Sequence, residues 1–265
     1  MNRKAEDIKK IVRDGYGKAV TQKISCCSTS SCCGSTNKAK NISKAVGYDD
    51  AEMNAVPEGA NLGFGCGNPV AIASLKEGDV VLDLGSGAGF DAFLASPKVG
   101  KTGLVIGVDM TPEMIEKAQA NALKGNYTNV EFRFGEIEKL PVDDSTVDVI
   151  ISNCVINLSP DKEQVFKEAF RVLKPSGRLM VSDLVLVKDL PDAVKGSVEA
   201  YVGCLAGAIK KEEYLKFITV SGFQEVKIIS QSNYPVDAMF DNLKGAEGSI
   251  ASIKVSAKKP VVKGA

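Results

Sequence analysis

Residues 80–85, Val-Val-Leu-Asp-Leu-Gly, form a short apolar run with β-branched residues that breaks at once into Ser86-Gly87-Ala88-Gly89 and opens a helix at Phe90. A strand apolar on both faces, ending in a glycine turn that feeds a helix, belongs inside a parallel sheet covered on both sides. The rest of the chain repeats the pattern. Apolar runs recur at 104–110, 130–136, 147–155 and 177–185, separated by stretches of helical spacing. Thr111-Pro112-Glu113 reads as a helix start, with an N-cap, a proline at the first position and an acid in the first turn. Glu163 to Leu173 reads as another helix, stopped by Lys174-Pro175-Ser176-Gly177. Residues 188–222 read as mostly helical, and 225–230 and 251–257 as late strands, an antiparallel pair at one edge. The fold class is α/β.

Three regions follow. Residues 1–45 hold an amphipathic helix, with Ile8, Ile11, Val12, Tyr16, Ala19 and Val20 at helical spacing, and then a cysteine-rich arm. Residues 25–41 are rich in Ser, Gly and Cys and poor in core formers, so they read as a loop or mobile arm. Such an arm contributes little to a sheet core, and its removal should spare the fold. Residues 46–190 carry the sheet. Residues 191–265 add helices and complete the sheet.

The glycine turn, Asp83-Leu84-Gly85-Ser86-Gly87-Ala88-Gly89, could be a tight connection with no ligand. Asp109, ending the second strand, argues otherwise, because a carboxylate there can accept both hydroxyls of a ribose. The spacing is GxGxG, with Phe90 where a dinucleotide site wants its third glycine, and no GxxxxGK[ST] exists. The pattern favours a nucleoside with a small charged tail.

Composition narrows the chemistry. There is no histidine, which excludes a Ser-His-Asp triad, a Cys-His pair and a His-ligated metal. Lys plus Arg and Asp plus Glu are 33 each, so there is no basic footprint for nucleic acid or anionic lipid. No apolar run approaches a membrane span, and the N-terminal stretch has no apolar signal region. Seven cysteines then argue for a reducing, cytoplasmic setting.

Cys26-Cys27 and Cys32-Cys33 form two pairs in the arm. An all-cysteine zinc site is disfavoured, because adjacent cysteines diverge, unlike C-x2-C. Cys154 follows the fourth strand, and Cys204 sits among Gly203, Ala206, Gly207 and Ala208 on an expected helix. Both suit buried core thiols, although Cys154 stands at the strand edge where open α/β sheets bind ligands. Cys66 has glycine on both sides, as a thiol that must reach a bound group would.

The ordered motifs DLGSGAG, VDM, GEIEKLP, SNCV and RVLKPSGRL resemble those of class I S-adenosylmethionine-dependent methyltransferases. The resemblance implies a Rossmann-like seven-stranded sheet, mostly parallel, with helices on both faces. It implies that Gly85, Gly87 and Gly89 approach the methionine part of S-adenosylmethionine and that Asp83 and Ser86 are among the cofactor-binding residues. By it, Asp109 takes the ribose, Met110 lies along the adenine, Glu136 and Ile137 lie at its edge, and Asn153 is near the sulfonium. NLGFGCGNPVAIASLKEGDVVLDLGSGAGFDAF, VIGVDMTPEMIEKA, DVIISNCVINLSPDK and SVEAYVGCLAGA further resemble arsenite methyltransferases. That implies As(III) ligation by Cys66, Cys154 and Cys204. It also implies redox cycling by an arm cysteine among Cys26, Cys27, Cys32 and Cys33, and an external thiol reductant. Phe64, at the cofactor site, stands where the family often has tyrosine, so a hydroxyl is absent there.

The chemistry agrees with the missing histidine. Arsenite exchanges its hydroxyls for thiols with loss of water, and arsenic keeps a lone pair that can accept a methyl without a general base. An oxygen or carbon acceptor would usually want one. Two alternatives explain less. A methyltransferase for a quinone or lipid-like acceptor leaves the three cysteines without purpose. A non-enzymatic metalloid or zinc binder leaves the cofactor turn without purpose.

Overall fold

The computed structural model describes residues 5–21, 34–195, 197–234, 236 and 248–261. One seven-stranded sheet runs through it. Its strands are β1 (Val80–Leu84), β2 (Leu104–Asp109), β3 (Val130–Phe134), β4 (Val147–Asn153), β5 (Leu173–Leu186), β6 (Gln224–Asn233) and β7 (Ile250–Lys258). They lie in the order β3-β2-β1-β4-β5-β7-β6. The pairs from β3 to β5 are parallel, and β7 is antiparallel to both β5 and β6. The antiparallel edge pair and the mostly parallel centre are those expected from the sequence.

The period of two divides the side chains between two cores. Leu82, Leu84, Ile106, Val108 and Ile150 face one side. There they pack with Val165, Phe166 and Ala169 of α7 (Lys162–Val172) and with Tyr214 and Ile218 of α10 (Lys211–Val220). Val81, Val105, Val149 and Ile151 face the other side. Their partners include Met53 of α3 (Asp50–Ala55), Val70 of α4 (Pro69–Ile72), Ala92, Phe93 and Ala95 of α5 (Phe90–Val99) and Ile115 and Ala118 of α6 (Pro112–Lys124). Doubly covered strands account for the near-continuous apolar runs.

A third cluster lies beyond the carboxyl ends of the central strands. It joins Val12 of α1 (Ala5–Thr21), Cys66, Leu184, Leu205, Cys204 and Ile250. This end of the sheet departs from the sequence expectation in two places. The first is the expected arm at 25–41. Its residues 34–41 belong to α2 (Gly34–Ala45), which continues past Ala39 and Ile42, where the chain crosses so closely that a Cβ on Gly63 would meet Ala39. Packing, not composition, decides that segment. Cys26, Cys27, Cys32 and Cys33 lie outside the described residues.

The second departure is the helical stretch at 188–222. It contains three helices, α8 (Asp192–Lys195), α9 (Val198–Val202) and α10, and Cys204 is not on any of them. α9 closes with the Cys204 N–H on the Tyr201 carbonyl and the Leu205 N–H on the Ala200 carbonyl, a Schellman ending. Cys204 occupies its left-handed position, φ +65°. The small residues beyond it do allow the close approach read from the sequence, since Gly207 lies against the Asn157 carbonyl with no room for a Cβ.

Candidate active site

A cavity of about 530 Å³ opens at the carboxyl ends of β1, β2 and β4. The β1 turn forms its floor. Gly85 and Gly87 adopt φ of +65° and +52°, and a Cβ on Gly85 would collide with Val155. Gly89 does not line the cavity. It serves the turn, with φ +96° and the rings of Phe93 and Phe132 where a side chain would go. Asp109 accepts hydrogen bonds from the Gly87 N–H at 3.0 Å and the Thr111 N–H at 2.8 Å. It thereby ties the turn to the start of α6. The Thr111 side chain makes no cap bond to α6; it hydrogen-bonds the Asp109 carboxylate instead.

Three carboxylates, Asp83, Asp91 and Asp109, line the cavity. Burial pushes all three upward, and for Asp83 the charges of Asp91 and Asp109 add to it. Asp83 Oδ2, Ser86 Oγ and Asn61 Nδ2 are buried without a hydrogen-bond partner among the described residues. Buried orphan groups beside a glycine cradle and an acidic wall fit a polar, cationic ligand with a ribose. Met110 and Ile137 line the same space. Glu136 does not line it and turns toward α1, where it accepts from Lys9 at 2.7 Å. Lys9 also pairs with Glu138 at 3.5 Å. Phe64, half exposed, forms part of the rim with its ring against Tyr16, 5.2 Å between centroids.

Asn153, at the end of β4, joins this cavity to the thiols. Its amide nitrogen reaches the Tyr48 hydroxyl at 2.8 Å, the Gly67 carbonyl at 2.8 Å and Asp91 at 3.0 Å. Its oxygen accepts from the Cys66 N–H at 3.1 Å. Tyr48 in turn donates to Asp91 at 2.6 Å. The cofactor-side helix α5 and the Cys66 loop are thus held by one network.

The fold brings Cys66, Cys154 and Cys204 together from three distant places in the chain. The Cys154 thiol interacts with those of both Cys66 and Cys204, and the Cys204 thiol also donates to the Cys154 carbonyl. Cys154, like Cys204, stands on left-handed backbone, φ +59°. Burial pushes the Cys66 thiol up to about 11. For Cys154, the hydrogen bond from Cys204 favours the thiolate, but the bond to Cys66 and burial outweigh it and raise the thiol well above its usual range. For Cys204, the bond to Cys154 and then burial raise it likewise. At neutral pH these are thiols.

Sequence reasoning missed three residues here. Asp183, fully buried on β5, has a carboxylate oxygen within 4.8 Å of the Cys66 and Cys154 sulfurs, all three within that distance of one another. It accepts from Asn157 at 2.9 Å, its neighbour's Leu184 N–H at 2.8 Å and Tyr214 at 3.1 Å, and burial holds it up at about 7. A lone acid inside the apolar run 177–185 was the available signal. Tyr16 of α1 donates to the Val202 carbonyl at 3.0 Å and hydrogen-bonds Cys204; it brings a hydroxyl to the site that Phe64 lacks. Tyr48 carried no distinguishing signal.

The sheet order, the glycine cradle and the strand-end acid define a methyltransferase domain of the Rossmann-like class, and residues 75–222 match the family described as "Methyltransferase domain". The arsenite methyltransferase of Halobacterium salinarum is 45% identical over 86% of this chain and 60% of its own length. That of Homo sapiens is 34% identical over 84% and 60%. The crystal structure of an arsenic(III) S-adenosylmethionine methyltransferase from Chlamydomonas reinhardtii superposes with a TM-score of 0.63 at 33% identity, covering 84% of this chain and 74% of that one. The chain belongs to the arsenite methyltransferase family, and it spans about three-fifths of the length of the curated relatives it matches. No described helix is long and apolar enough to cross a membrane.

Proposed function

We propose that this chain methylates arsenic(III), which it holds as a thiolate complex of Cys66, Cys154 and Cys204. The observation that carries the reading is the convergence of three thiols, two buried and that of Cys154 half-buried, beside the cofactor-sized cavity. S-adenosylmethionine, when bound, supplies an electrophilic sulfonium methyl. Asp109 suits its ribose hydroxyls, Gly85 and Gly87 let the backbone approach its amino-acid part, and Asp83 and Asp91 offer negative charge to its cationic groups. Met110 and Ile137 provide apolar cover for the base.

The thiols do the binding chemistry. Three protonated thiols exchange with the three hydroxyls of arsenite and release three waters, so no net proton is taken up or lost. The arsenic then has three sulfur bonds and a lone pair, and the acceptor needs no base. Asn153 fixes the Cys66 loop through its backbone N–H, and the Schellman turn aims Cys204. α1 covers the cavity through Lys9, Val12 and Tyr16 and excludes water. Methyl transfer formally oxidises arsenic from III to V. A pair of cysteine thiols returns two electrons by forming a disulfide, which an external thiol must reopen. The arm cysteines Cys26, Cys27, Cys32 and Cys33 are the candidates for that pair. A role in arsenic detoxification in the cytoplasm, with mono-, di- and trimethylated products, completes the proposal.

The test is product speciation after incubation with arsenite, S-adenosylmethionine and a thiol reductant. Methylated arsenicals that disappear in Cys154→Ser support the reading. Methyl transfer to a quinol and none to arsenite overturns it.

A further inference from the structure

We propose that the pocket of Cys66, Cys154, Cys204 and Asp183 is also a four-coordinate site for a soft divalent cation, zinc or cadmium, with the Asp183 carboxylate as the ligand that arsenic does not use. The inference rests on the side-chain cluster alone and not on methyl transfer.

Arsenic(III) forms three bonds and carries a lone pair, so three sulfurs satisfy it and a fourth donor has no place. Zinc and cadmium want a tetrahedron and accept sulfur and oxygen together. With zinc–sulfur bonds of about 2.3 Å, two sulfurs on one tetrahedral ion lie roughly 3.8 Å apart. The Cys66 and Cys154 sulfurs and an Asp183 oxygen already lie within 4.8 Å of one another. Cys204 hydrogen-bonds the Cys154 sulfur and can supply the remaining corner. Closing those three around an ion therefore needs shifts of about an ångström, and the turn at Cys204 must bring its sulfur in from beside Cys154.

The surroundings prepare Asp183 for such a role. Asn157 and the Leu184 N–H donate to Oδ1 and Tyr214 to Oδ2 of its carboxylate, as metal-ligating carboxylates are oriented by outer hydrogen bonds. Lys162, held by the carbonyls of Asn157 and Ser159 at 3.3 and 2.9 Å, lies near enough to Asp183 and Cys204 to feel their charge. It offsets part of the excess negative charge that three thiolates and a carboxylate would leave on a divalent ion. Each sulfur that binds gives its proton to solvent, and no electron moves. Because the cation and arsenic need the same sulfurs, they exclude one another.

Cadmium alone is the probe, added to the reduced full chain carrying Cys26, Cys27, Cys32 and Cys33→Ser so that arm thiols do not contribute. Thiolate-to-cadmium absorption in the ultraviolet should saturate at one ion per chain and vanish on adding arsenite. Asp183→Asn should weaken cadmium binding at least tenfold and arsenite binding far less, with S-adenosylmethionine affinity as the folding control. Equal cadmium affinity in Asp183→Asn, or cadmium binding that survives Cys154→Ser, overturns the proposal. If Asp183→Asn does not fold, the 113Cd resonance of the chain with Asp183 intact decides: a mixed sulfur–oxygen shift supports the site, and an all-sulfur shift sinks it. Neither readout uses a methylated product, so failure here leaves the methyltransferase reading untouched.

Discussion

Cys154 and Cys204 both occupy left-handed backbone, a conformation that costs a non-glycine residue roughly 1–2 kcal/mol. At Cys204 the position is the one glycine favours at a helix end. A thiol kept there against backbone preference is what the proposed arsenic ligation would require. Cys204→Gly should therefore be more stable than Cys204→Ala by about 1 kcal/mol in urea unfolding, while neither methylates arsenite. If Cys204→Ala is the more stable, the strain assigned to this turn is absent. Valence divides the three thiols differently. On the proposed ligation, methylarsenite spends one arsenic bond on carbon and needs two sulfurs, and the expectation is that Cys66, between two glycines, is the one left out. With excess reductant, Cys66→Ser should lose methylation of arsenite and keep that of methylarsenite, whereas Cys154→Ser and Cys204→Ser lose both. Product chromatography reads each outcome. The raised thiols add a third expectation. With Cys66 at about 11, against about 8.5 for a free cysteine, its thiolate fraction at pH 7.5 falls roughly a hundredfold or more. Iodoacetamide should label Cys66 at least that much more slowly than free cysteine. Arsenite affinity should stay nearly level from pH 6 to 7.5, because the exchange of thiols for hydroxyls releases water and no proton. A steep slope there would show that a thiolate is the resting form.

Among the elements, α1 changes most from what its sequence suggested. Its amphipathic face does not simply cover a surface. Lys9 grips Glu136 and Glu138, Val12 packs among Cys66 and Cys204, and Tyr16 reaches the Val202 carbonyl. α2 likewise brings Ala39 and Ile42 to the cavity wall. Removing residues 1–40 thus takes away part of the binding site as well as the arm cysteines. The smaller deletion of residues 1–21 should leave a cooperative unfolding transition, since the sheet and its two cores lie elsewhere. S-adenosylmethionine affinity should fall about tenfold or more, as expected from the loss of a Val12-sized burial of about 1.5–3 kcal/mol at the ligand's cover. Titration calorimetry on the deletion decides it, and an unchanged affinity would show that α1 is an ornament of the cavity.

At the scale of the molecule, the two half-sites are one object. Asp91, Tyr48, Asn153 and the Cys66 N–H form a continuous network from the helix behind the glycine turn to the thiol loop. Ordering either half should help the other, and such coupling is reciprocal. S-adenosylmethionine should bind more tightly with arsenite present than without it. Tyr48→Phe, which keeps the ring in its buried place but removes the hydroxyl, should bring that ratio close to one. Titrating the cofactor into both proteins, with and without arsenite, measures the ratio; a Tyr48→Phe protein with full coupling would place the link elsewhere.

The sheet, the edge pair and the glycine turn were legible in the residues alone, because these rest on local signals: apolar runs of strand length, glycines where φ must be positive, an acid at a strand end. The three cysteines that the fold brings together were singled out by the resemblance to arsenite methyltransferases, not by their own spacing. How they meet is a matter of tertiary packing. Cys66, Cys154 and Cys204 are separated by 50 residues or more, and no spacing rule spans such distances. The same holds for Asp183, whose place in an apolar strand says that it is buried but not that two thiols lie beside it. Helical spacing likewise gave α1 its face but not the cavity it covers. α2 went unseen for the converse reason: its Gly-, Ser-, Thr- and Asn-rich sequence is a weak helix former alone, and its packing against Gly63 supplies what propensity does not.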